Sequence, residues 1–260
     1  MSFAFTLLIT LFISGAMRER RKMQSEIEKM RDHVILCGYV RMGALTVAEL
    51  RKEATPVVVI ERSAEIESLL AGDEIPCVIG DATEDETLLA AGLHRARALV
   101  AALPHDADNV YVTLTAHTLC PELQIIARAE LPSTESKLER AGASRVICPQ
   151  IVGARKISNI LHRPNVVDFV EVAAHGGDLE MDEYVIGSQS ALAGATLQDS
   201  LIRQQTGAIV VAIKRADGET LYNPKPEVVL AAGDTLIIVG KAGVSDQLSR
   251  IDPNSRGRDA

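Results

Sequence analysis

The sequence predicts an α/β protein with a doubly wound, six-stranded parallel sheet, because short apolar strands and amphipathic helices alternate over residues 33–149. The apolar segment HVILC runs directly into a turn with two glycines, Gly38 and Gly43, that opens an amphipathic helix. A second apolar segment, PVVVIER, places an acid, Glu61, at the end of the next strand. We expect a smaller α+β lobe to follow this Rossmann-like domain.

The turn CGYVRMG predicts a nucleotide site. In the G-x-G-x-x-G fingerprint the first glycine makes the strand-to-helix turn, the second lets the backbone approach a pyrophosphate, and the third lets the helix pack on the strand. Gly38 and Gly43 fill the first and third places, but Val40 fills the second. We therefore expect the fold to be retained and the phosphate contact to be weakened. The candidate ligand contacts in this turn also include Tyr39, Arg41 and Met42.

Glu61 is a candidate for contact with an adenosine ribose, and Arg62 is assigned to the same site. Glu61 lies 23 positions after Gly38, about where folds of this type place a carboxylate that accepts hydrogen bonds from the ribose. The alternative is that Gly38 and Gly43 serve only chain geometry and that Glu61 is a solvated strand end.

Later elements continue the alternation of strand and helix. After a helix near residues 64–70, the apolar patterns and turn residues predict a strand over 76–79, a helix over 85–91, a strand over 98–103, a helix over 106–119, a strand over 123–127, a helix over 133–140 and a sixth strand over 145–148. Ligands of such folds bind at the carboxyl ends of the strands. The crevice is therefore expected where Gly38, Glu61, Asp81 and residues 103–106 fall.

Composition and charge exclude several function classes. Hydrophobic residues make up 47% of the 260 residues and aromatic residues 3%, which is typical of an aliphatic α/β core. The net charge of −8 argues against a nucleic-acid surface, and no P-loop sequence occurs. We predict no metal site, because the cysteines lack metal-ligand spacing. We expect four buried, reduced thiols at Cys37, Cys77, Cys120 and Cys148.

Residues 1–16 differ in kind from the rest. The twelve apolar and hydroxyl residues SFAFTLLITLFI are fewer than the roughly 20 that span a bilayer, and basic residues follow them. We interpret this segment as the cytoplasmic end of a membrane helix; the alternatives are a buried amphipathic helix and a start-site artefact. Residues 17–32 predict a linking helix, separate from the sheet, with one narrow apolar stripe at Met23, Ile27 and Met30. A solvated leader helix would show the same pattern.

Three further blocks of sequence accompany the glycine turn, namely the strand ending at Glu61, GDATEDETLLAAGLHRARALVAAL and IIARAELPSTESKLERAGASRVICP. Together they resemble the RCK domain, the regulator of potassium conductance, which also occurs in TrkA-type potassium-uptake subunits. The resemblance implies that Asp81 and the adjoining Ala82 lie near an adenine and that Arg128 reaches nucleotide phosphates. A helix amino-terminal cap is the alternative role for Asp81.

The same resemblance extends over residues 150–164 and 165–250. IVGARKISNILHR predicts an amphipathic helix, and in RCK proteins a helix here crosses to the neighbouring subunit, so we expect dimers within a gating-ring-like oligomer. The segments VVDFVEVA, GAIVVAIKR and DTLIIVG predict strands of a ligand-sensing lobe. A further short strand is expected after Pro224 and Pro226, and residues 251–260 are expected to form a flexible tail.

The function implied by the resemblance is that of a gating domain at the cytoplasmic face of the cell membrane, without enzymatic activity. NAD or an adenine nucleotide (ATP, ADP or AMP) would be bound as a ligand and not as a redox cofactor. The chain has no T-V-G-Y-G-like filter, so the pore is expected on another chain or in a part removed by truncation. The first residues of the chain would then be the end of the pore-lining helix.

Three alternatives remain at this stage. Asp106 and Glu130 match two positions of the acidic cluster of calcium-gated relatives, but Arg128 stands where a third acid is needed, which argues against calcium. A TrkA-like peripheral uptake subunit is a second possible function. A third is an NAD-dependent dehydrogenase, for which the six histidines offer no evident acid–base pairing.

Overall fold

The structure is a computed structural model that describes residues 22–175 and 179–252. The predicted membrane segment at residues 1–16 and most of the predicted tail lie outside the described residues. Within the described residues, no helix is both long and apolar enough to cross a membrane. The chain divides into two compact units, and the boundary falls after Lys156.

The first unit is built on a six-stranded parallel sheet with the strand order β3-β2-β1-β4-β5-β6. Its strands are β1 (His33–Cys37), β2 (Val57–Glu61), β3 (Cys77–Ile79), β4 (Ala96–Ala101), β5 (Gln124–Arg128) and β6 (Arg145–Ile147). The first two are almost entirely buried, which explains their continuous apolar sequences, since a parallel sheet is covered on both faces. The predicted doubly wound fold is confirmed, and β1 lies at the point where the strand order reverses.

Helices connect these strands as the sequence predicts. They are α2 (Arg41–Lys52), α3 (Ala64–Gly72), α4 (Asp85–Ala90), α5 (Asp106–Leu119) and α6 (Glu135–Arg140), with short 3-10 turns at Leu93–Arg95 and Pro132–Thr134. The fourth strand ends at Ala101, two residues earlier than predicted. One reason is that the N–H of Leu103 donates to the side chain of Asn109 and not to a neighbouring strand.

A first helix, α1, whose described part is residues 22–29, packs against this unit. Ile27 is fully buried, and Met23 and Met30 pack against the same core. The side-chain amide of Gln24 also donates to the carbonyl of Ala90 at 3.0 Å. The expectation that the linking helix is separate from the sheet is therefore wrong, because its apolar stripe is a docking face and its burial is favourable.

The second unit contains a four-stranded antiparallel sheet with the order β7-β10-β8-β9. Its strands are β7 (Glu180–Val185), β8 (Ile209–Lys214), β9 (Thr220–Tyr222) and β10 (Thr235–Gly240), and its short helices are α9 (Ile202–Thr206) and α10 (Val244–Ile251). Helix α7 (Pro149–His162) spans the boundary between the units. The predicted smaller lobe is thus present, with the segments GAIVVAIKR and DTLIIVG forming β8 and β10.

Two predicted strands of this unit are wrong. The segment VVDFVEVA forms part of helix α8 (Pro164–His175), which packs against β7. Pro164 suits the first turn of a helix, and Val167 and Ala173 are the buried positions of the helical face. No strand forms between Pro226 and the start of β10 at Thr235; Val229 makes only an isolated bridge with Thr196.

Candidate functional site

The turn after β1 depends on its two glycines. Gly38 has a φ of +96°, a conformation that side chains disfavour, and its N–H donates to Ile60 O at 2.9 Å. Gly43 is buried in the first turn of α2, where a Cβ atom would lie 2.0 Å from the carbonyl oxygen of Gly38. Helix α2 therefore contacts the turn directly, through backbone alone.

Val40 lies at the exposed mouth of this turn, immediately before α2. Its backbone is extended, with φ −88° and ψ −171°, and its side chain is 50% exposed. No side chain caps the amino terminus of α2, and its first turn contains no acid. Uncapped amides at a helix amino terminus attract anions. Arg41 is exposed and Met42 half-buried at the same end, so a phosphate group would meet the helix amides beside the Val40 methyl groups.

The carboxylate of Glu61 connects the end of β2 to the glycine turn. It accepts hydrogen bonds from the N–H groups of Tyr39 at 2.8 Å, Arg62 at 2.7 Å and Ser63 at 3.0 Å. Glu61 is half-buried, so it is not a fully solvated strand end, and its contact with a ribose stays a prediction. A carboxylate offers about four acceptor positions, and the backbone therefore leaves acceptor capacity for a ligand hydroxyl group.

Asp81 continues this network at the neighbouring strand, β3. Its carboxylate is 2.5 Å from the guanidinium of Arg62 and accepts the N–H and hydroxyl of Thr83 at 2.9 and 2.7 Å. The amide and then the hydroxyl of Thr83 lower the pKa of Asp81, and Arg62 adds to the effect. Asp81 is not the capping residue of α4, which begins after Glu84, but it does satisfy the free amide of Thr83 just before the helix, as the alternative role expects. The adjoining Ala82 is buried.

Arg128, at the end of β5, is engaged with protein groups. Its guanidinium donates to Leu103 O at 3.1 Å and to Pro104 O at 3.4 Å, and it pairs with the carboxylate of Glu130. Its side chain is 19% exposed. A phosphate would have to displace Glu130 to reach it fully, so its assignment as a phosphate contact stays a prediction.

Asp106 holds the loop that follows β5. Its carboxylate accepts the N–H groups of Glu130 at 2.6 Å and Leu131 at 3.1 Å. Partial burial raises the pKa of Asp106, but these amides, the Thr134 hydroxyl and the Arg128 charge outweigh it, so the pKa lies below its ordinary value. In the described part of the chain, no cluster of three acidic, histidine or cysteine side chains is arranged to hold a metal ion.

Asn109 is a site residue that the sequence reasoning missed. It is fully buried, its Oδ1 accepts the N–H of Leu103 at 2.8 Å, and its Nδ2 donates to the carbonyls of Leu103 and Arg128 at 3.0 Å. It thereby fixes the loop after β4 against the end of β5. The sequence could have indicated this role, because Asn109 is the one side-chain amide on the buried face of α5, which also contains Val112 and Ala116.

The structure thus brings the predicted residues together in two groups at the carboxyl edge of the sheet. One group is a chain of hydrogen bonds from Tyr39 through Glu61 to the Arg62–Asp81 pair, beside the glycine turn. The other surrounds Arg128 at the ends of β4 and β5. Because β1 separates β2 from β4, the two groups lie on either side of the reversal of strand order, where ligands of open α/β sheets bind.

The cysteines depart from expectation at one position. No disulfide joins any of the four within the described residues, and three of them are buried; burial raises the pKa of Cys37 to about 12. Cys120 is only half-buried, its Sγ atom lies 2.9 Å from Nδ1 of His94, and burial raises its pKa. The prediction of four buried thiols is therefore wrong for Cys120, which caps the exposed end of α5.

Comparison with known proteins then identifies the family. Residues 34–149 match the TrkA-N domain and residues 181–251 match the TrkA-C domain. Potassium channel protein 1 of Methanocaldococcus jannaschii is 36% identical over 250 residues, which cover 94% of this chain and 74% of that protein. The chain belongs to the potassium channel proteins with RCK domains. It is also 27% identical to Ktr system potassium uptake protein C of Bacillus subtilis, over 81% of this chain and 93% of that protein.

A solved TrkA-N domain agrees with the fold of the first unit. The TrkA-N domain of the Escherichia coli inner membrane protein ybaL superposes with a TM-score of 0.50 and 28% identity, over 52% of this chain and 99% of that one. The GsuK channel bound to NAD is 28% identical over 85% of this chain, but it gives a TM-score of 0.47, a superposition too loose for comparing sites. This chain covers 38% of the GsuK chain.

Proposed function

We propose that this protein is the cytoplasmic, ligand-sensing gating part of a potassium channel and that it binds NAD or an adenine nucleotide in the crevice after β1. The observation that carries the proposal is the hydrogen-bonded edge itself. An uncapped helix amino terminus, a left-handed glycine and a half-buried carboxylate with acceptor capacity adjoin one another there. These are the groups that a ribose and a phosphate require.

In this proposal the parts of the ligand have separate partners. The amides at the start of α2 receive the phosphate, Glu61 accepts a ribose hydroxyl, and Asp81 with Ala82 borders the adenine. The valine at position 40 narrows the phosphate approach, which favours weak binding of a dinucleotide. The ligand is bound and released unchanged, because the proposed role needs only its binding energy.

Gating requires that the ligand bind the conducting and non-conducting arrangements with different affinity. Helix α1, docked on the parallel sheet by Ile27, supports a route from the crevice toward the membrane. In this proposal a potassium-conducting pore is the partner on which the domain acts. The apolar side chains exposed on α7, including Ile157 at 63% and Leu161 at 76%, support association with a second copy.

A chimera tests this function. Residues 33–252 would replace the matching part of the M. jannaschii channel, and potassium flux would be measured in vesicles with and without each nucleotide. We expect one nucleotide to change the flux, and Glu61→Gln to weaken that response while the channel still conducts. Glu65→Gln, at an exposed position of α3, is the matched control. A conducting chimera that ignores every nucleotide would refute the gating role.

A peripheral uptake subunit is the second candidate, favoured by one observation. The chain covers 93% of the B. subtilis Ktr protein C, so its matched region is nearly a whole protein of that kind. The test is co-purification of the intact chain with a separately encoded potassium-conducting membrane protein. A complex that high salt dissociates would support a peripheral subunit over a gating domain that shares one chain with the pore.

A further inference from the structure

The start of β1 holds a buried histidine that the nucleotide crevice does not use. His33 is fully buried, and its Nε2 atom lies 2.9 Å from the carbonyl oxygen of Ala91. Because a carbonyl only accepts, Nε2 carries the proton of the neutral ring and donates it. The other ring nitrogen, Nδ1, is buried and has no hydrogen-bond partner in the described part of the chain.

Arg95 lies beside this ring and holds the end of α1. Its Nε atom donates to Met30 O at 3.3 Å, and its Nη2 atom donates to Ile27 O at 3.4 Å. The N–H of Asp32, a non-glycine residue with φ +55°, donates to the main-chain carbonyl of Arg95 at 2.9 Å. Arg95 therefore bonds two carbonyls at the carboxyl end of α1, of which Ile27 O also accepts the N–H of Met30 at 3.1 Å.

A glycine lets the imidazole and the guanidinium approach each other. A Cβ atom on Gly92 would lie 3.1 Å from Cε1 of His33 and 2.8 Å from Nη2 of Arg95. The two groups therefore border the same point in the structure. A positive charge placed on the ring would face the guanidinium across that point.

We propose that His33 and Arg95 form an acid-sensitive latch that holds α1 on the parallel sheet. While His33 is neutral, Arg95 bonds the end of α1. Protonation of Nδ1 adds a buried positive charge next to Arg95 and an N–H group without an acceptor. Withdrawal of Arg95 relieves the repulsion between the two positive charges, and it releases the carbonyls of Ile27 and Met30 from the guanidinium. Protons would thus act on the linking helix independently of the nucleotide.

The surroundings of the His33 ring favour its neutral form. Burial lowers the pKa of His33; the hydrogen bond to Ala91 opposes that effect, Arg95 lowers the pKa further, and Asp32 raises it. The charged side chains of α1, those at positions 22, 26, 28 and 29, are exposed, as are His94 and Arg97 on the side of β4. The latch therefore contributes its stability above pH 6.5, the ordinary histidine value, and loses it as the pH falls toward the lowered value.

Hydrogen–deuterium exchange of the intact chain tests the latch. Protection of the amides at positions 26–31, relative to an unstructured peptide at each pH, should fall about tenfold between pH 7.5 and pH 5.5. The reason is that the population of an open state with an ordinary histidine rises about tenfold for each pH unit below about 6.5. His33→Asn places a neutral polar side chain at this position that does not titrate, so its protection should stay constant with pH. His94→Gln, which removes the exposed neighbouring histidine, should behave as wild type.

Two results would overturn the proposal. One is wild-type protection that does not change with pH, and the other is a His33→Asn variant that loses protection as the wild type does. If His33→Asn does not fold, Arg95→Ala replaces it. That variant should lose α1 protection already at pH 7.5 and show no further pH dependence, whereas Arg97→Ala should match the wild type. Wild-type protection in Arg95→Ala would also refute the latch.

Discussion

Replacement of Gly43 by alanine tests the contact between α2 and the glycine turn. The added Cβ atom would lie 2.0 Å from Gly38 O and 3.2 Å from Cδ2 of Leu36. Real Cβ atoms do not approach a backbone oxygen within 3.0 Å, so the amino terminus of α2 must retreat by about 1 Å. The same movement displaces the amides that we assign to the phosphate.

The energetic cost follows from two opposing terms. Overpacking against rigid backbone costs about 3 kcal/mol, and alanine in place of glycine in a helix returns up to about 1 kcal/mol. The net loss of about 2 kcal/mol corresponds to a fall in melting temperature of roughly 8 °C for a lobe of this size. Nucleotide affinity should fall at least tenfold, because the site is no longer complementary.

Scanning calorimetry of Gly43→Ala and Gly72→Ala measures the expected fall in melting temperature directly. Gly72 ends α3 in the same lobe, and a Cβ atom there meets nothing within 4 Å. The control should therefore melt at or slightly above the wild-type temperature. If Gly43→Ala has the same melting temperature as the control, a Cβ atom fits between the turn and α2. The inference that position 43 requires glycine would then be wrong.

Three other predictions concern the phosphate approach, the subunit interface and the amino terminus. Val40→Gly should raise the affinity for NAD in calorimetric titration, because the half-exposed valine side chain stands at the phosphate approach; tight wild-type binding and an unaffected variant would refute this steric reasoning. Ile157→Asp should halve the mass measured by light scattering, because it puts a charge on the exposed apolar face of α7, whereas Asn159→Asp on the polar face should not; an unchanged mass for Ile157→Asp would place that face inside one subunit. Deletion of residues 1–16, which lie outside the described residues, should remove detergent-dependent association and leave nucleotide affinity intact. A large loss of melting temperature after this deletion would mean that the segment belongs to the folded core.

Local chemistry made the glycine turn and the acid at the end of β2 predictable from sequence. The glycine at position 38 is enough to predict a strand-to-helix turn. The acid at the end of β2 follows this glycine at the spacing that is usual in such folds. The partners of Glu61 were not predictable, because its bonds to Tyr39 and Ser63 depend on how the turn and strand meet in space. Asn109 escaped notice for the same reason, since its three partners lie in other elements.

The errors have a common physical origin in tertiary packing. The segment VVDFVEVA contains β-branched residues that favour strands, but its apolar positions also fit one face of a helix. Packing of that face against β7 stabilises the helix. Docking of α1 was missed because a narrow stripe of Met23, Ile27 and Met30 fits both a solvated and a docked helix. A stripe of this kind identifies a face but not what covers it.

Calorimetric titration of the intact chain with NAD, NADH, ATP, ADP and AMP tests the central claim most directly. We predict saturable binding of at least one of them, weakened by Glu61→Gln and unaffected by the exposed control Glu65→Gln. Absence of binding heat for all five at several temperatures, with a folded protein, would contradict the nucleotide-sensing account.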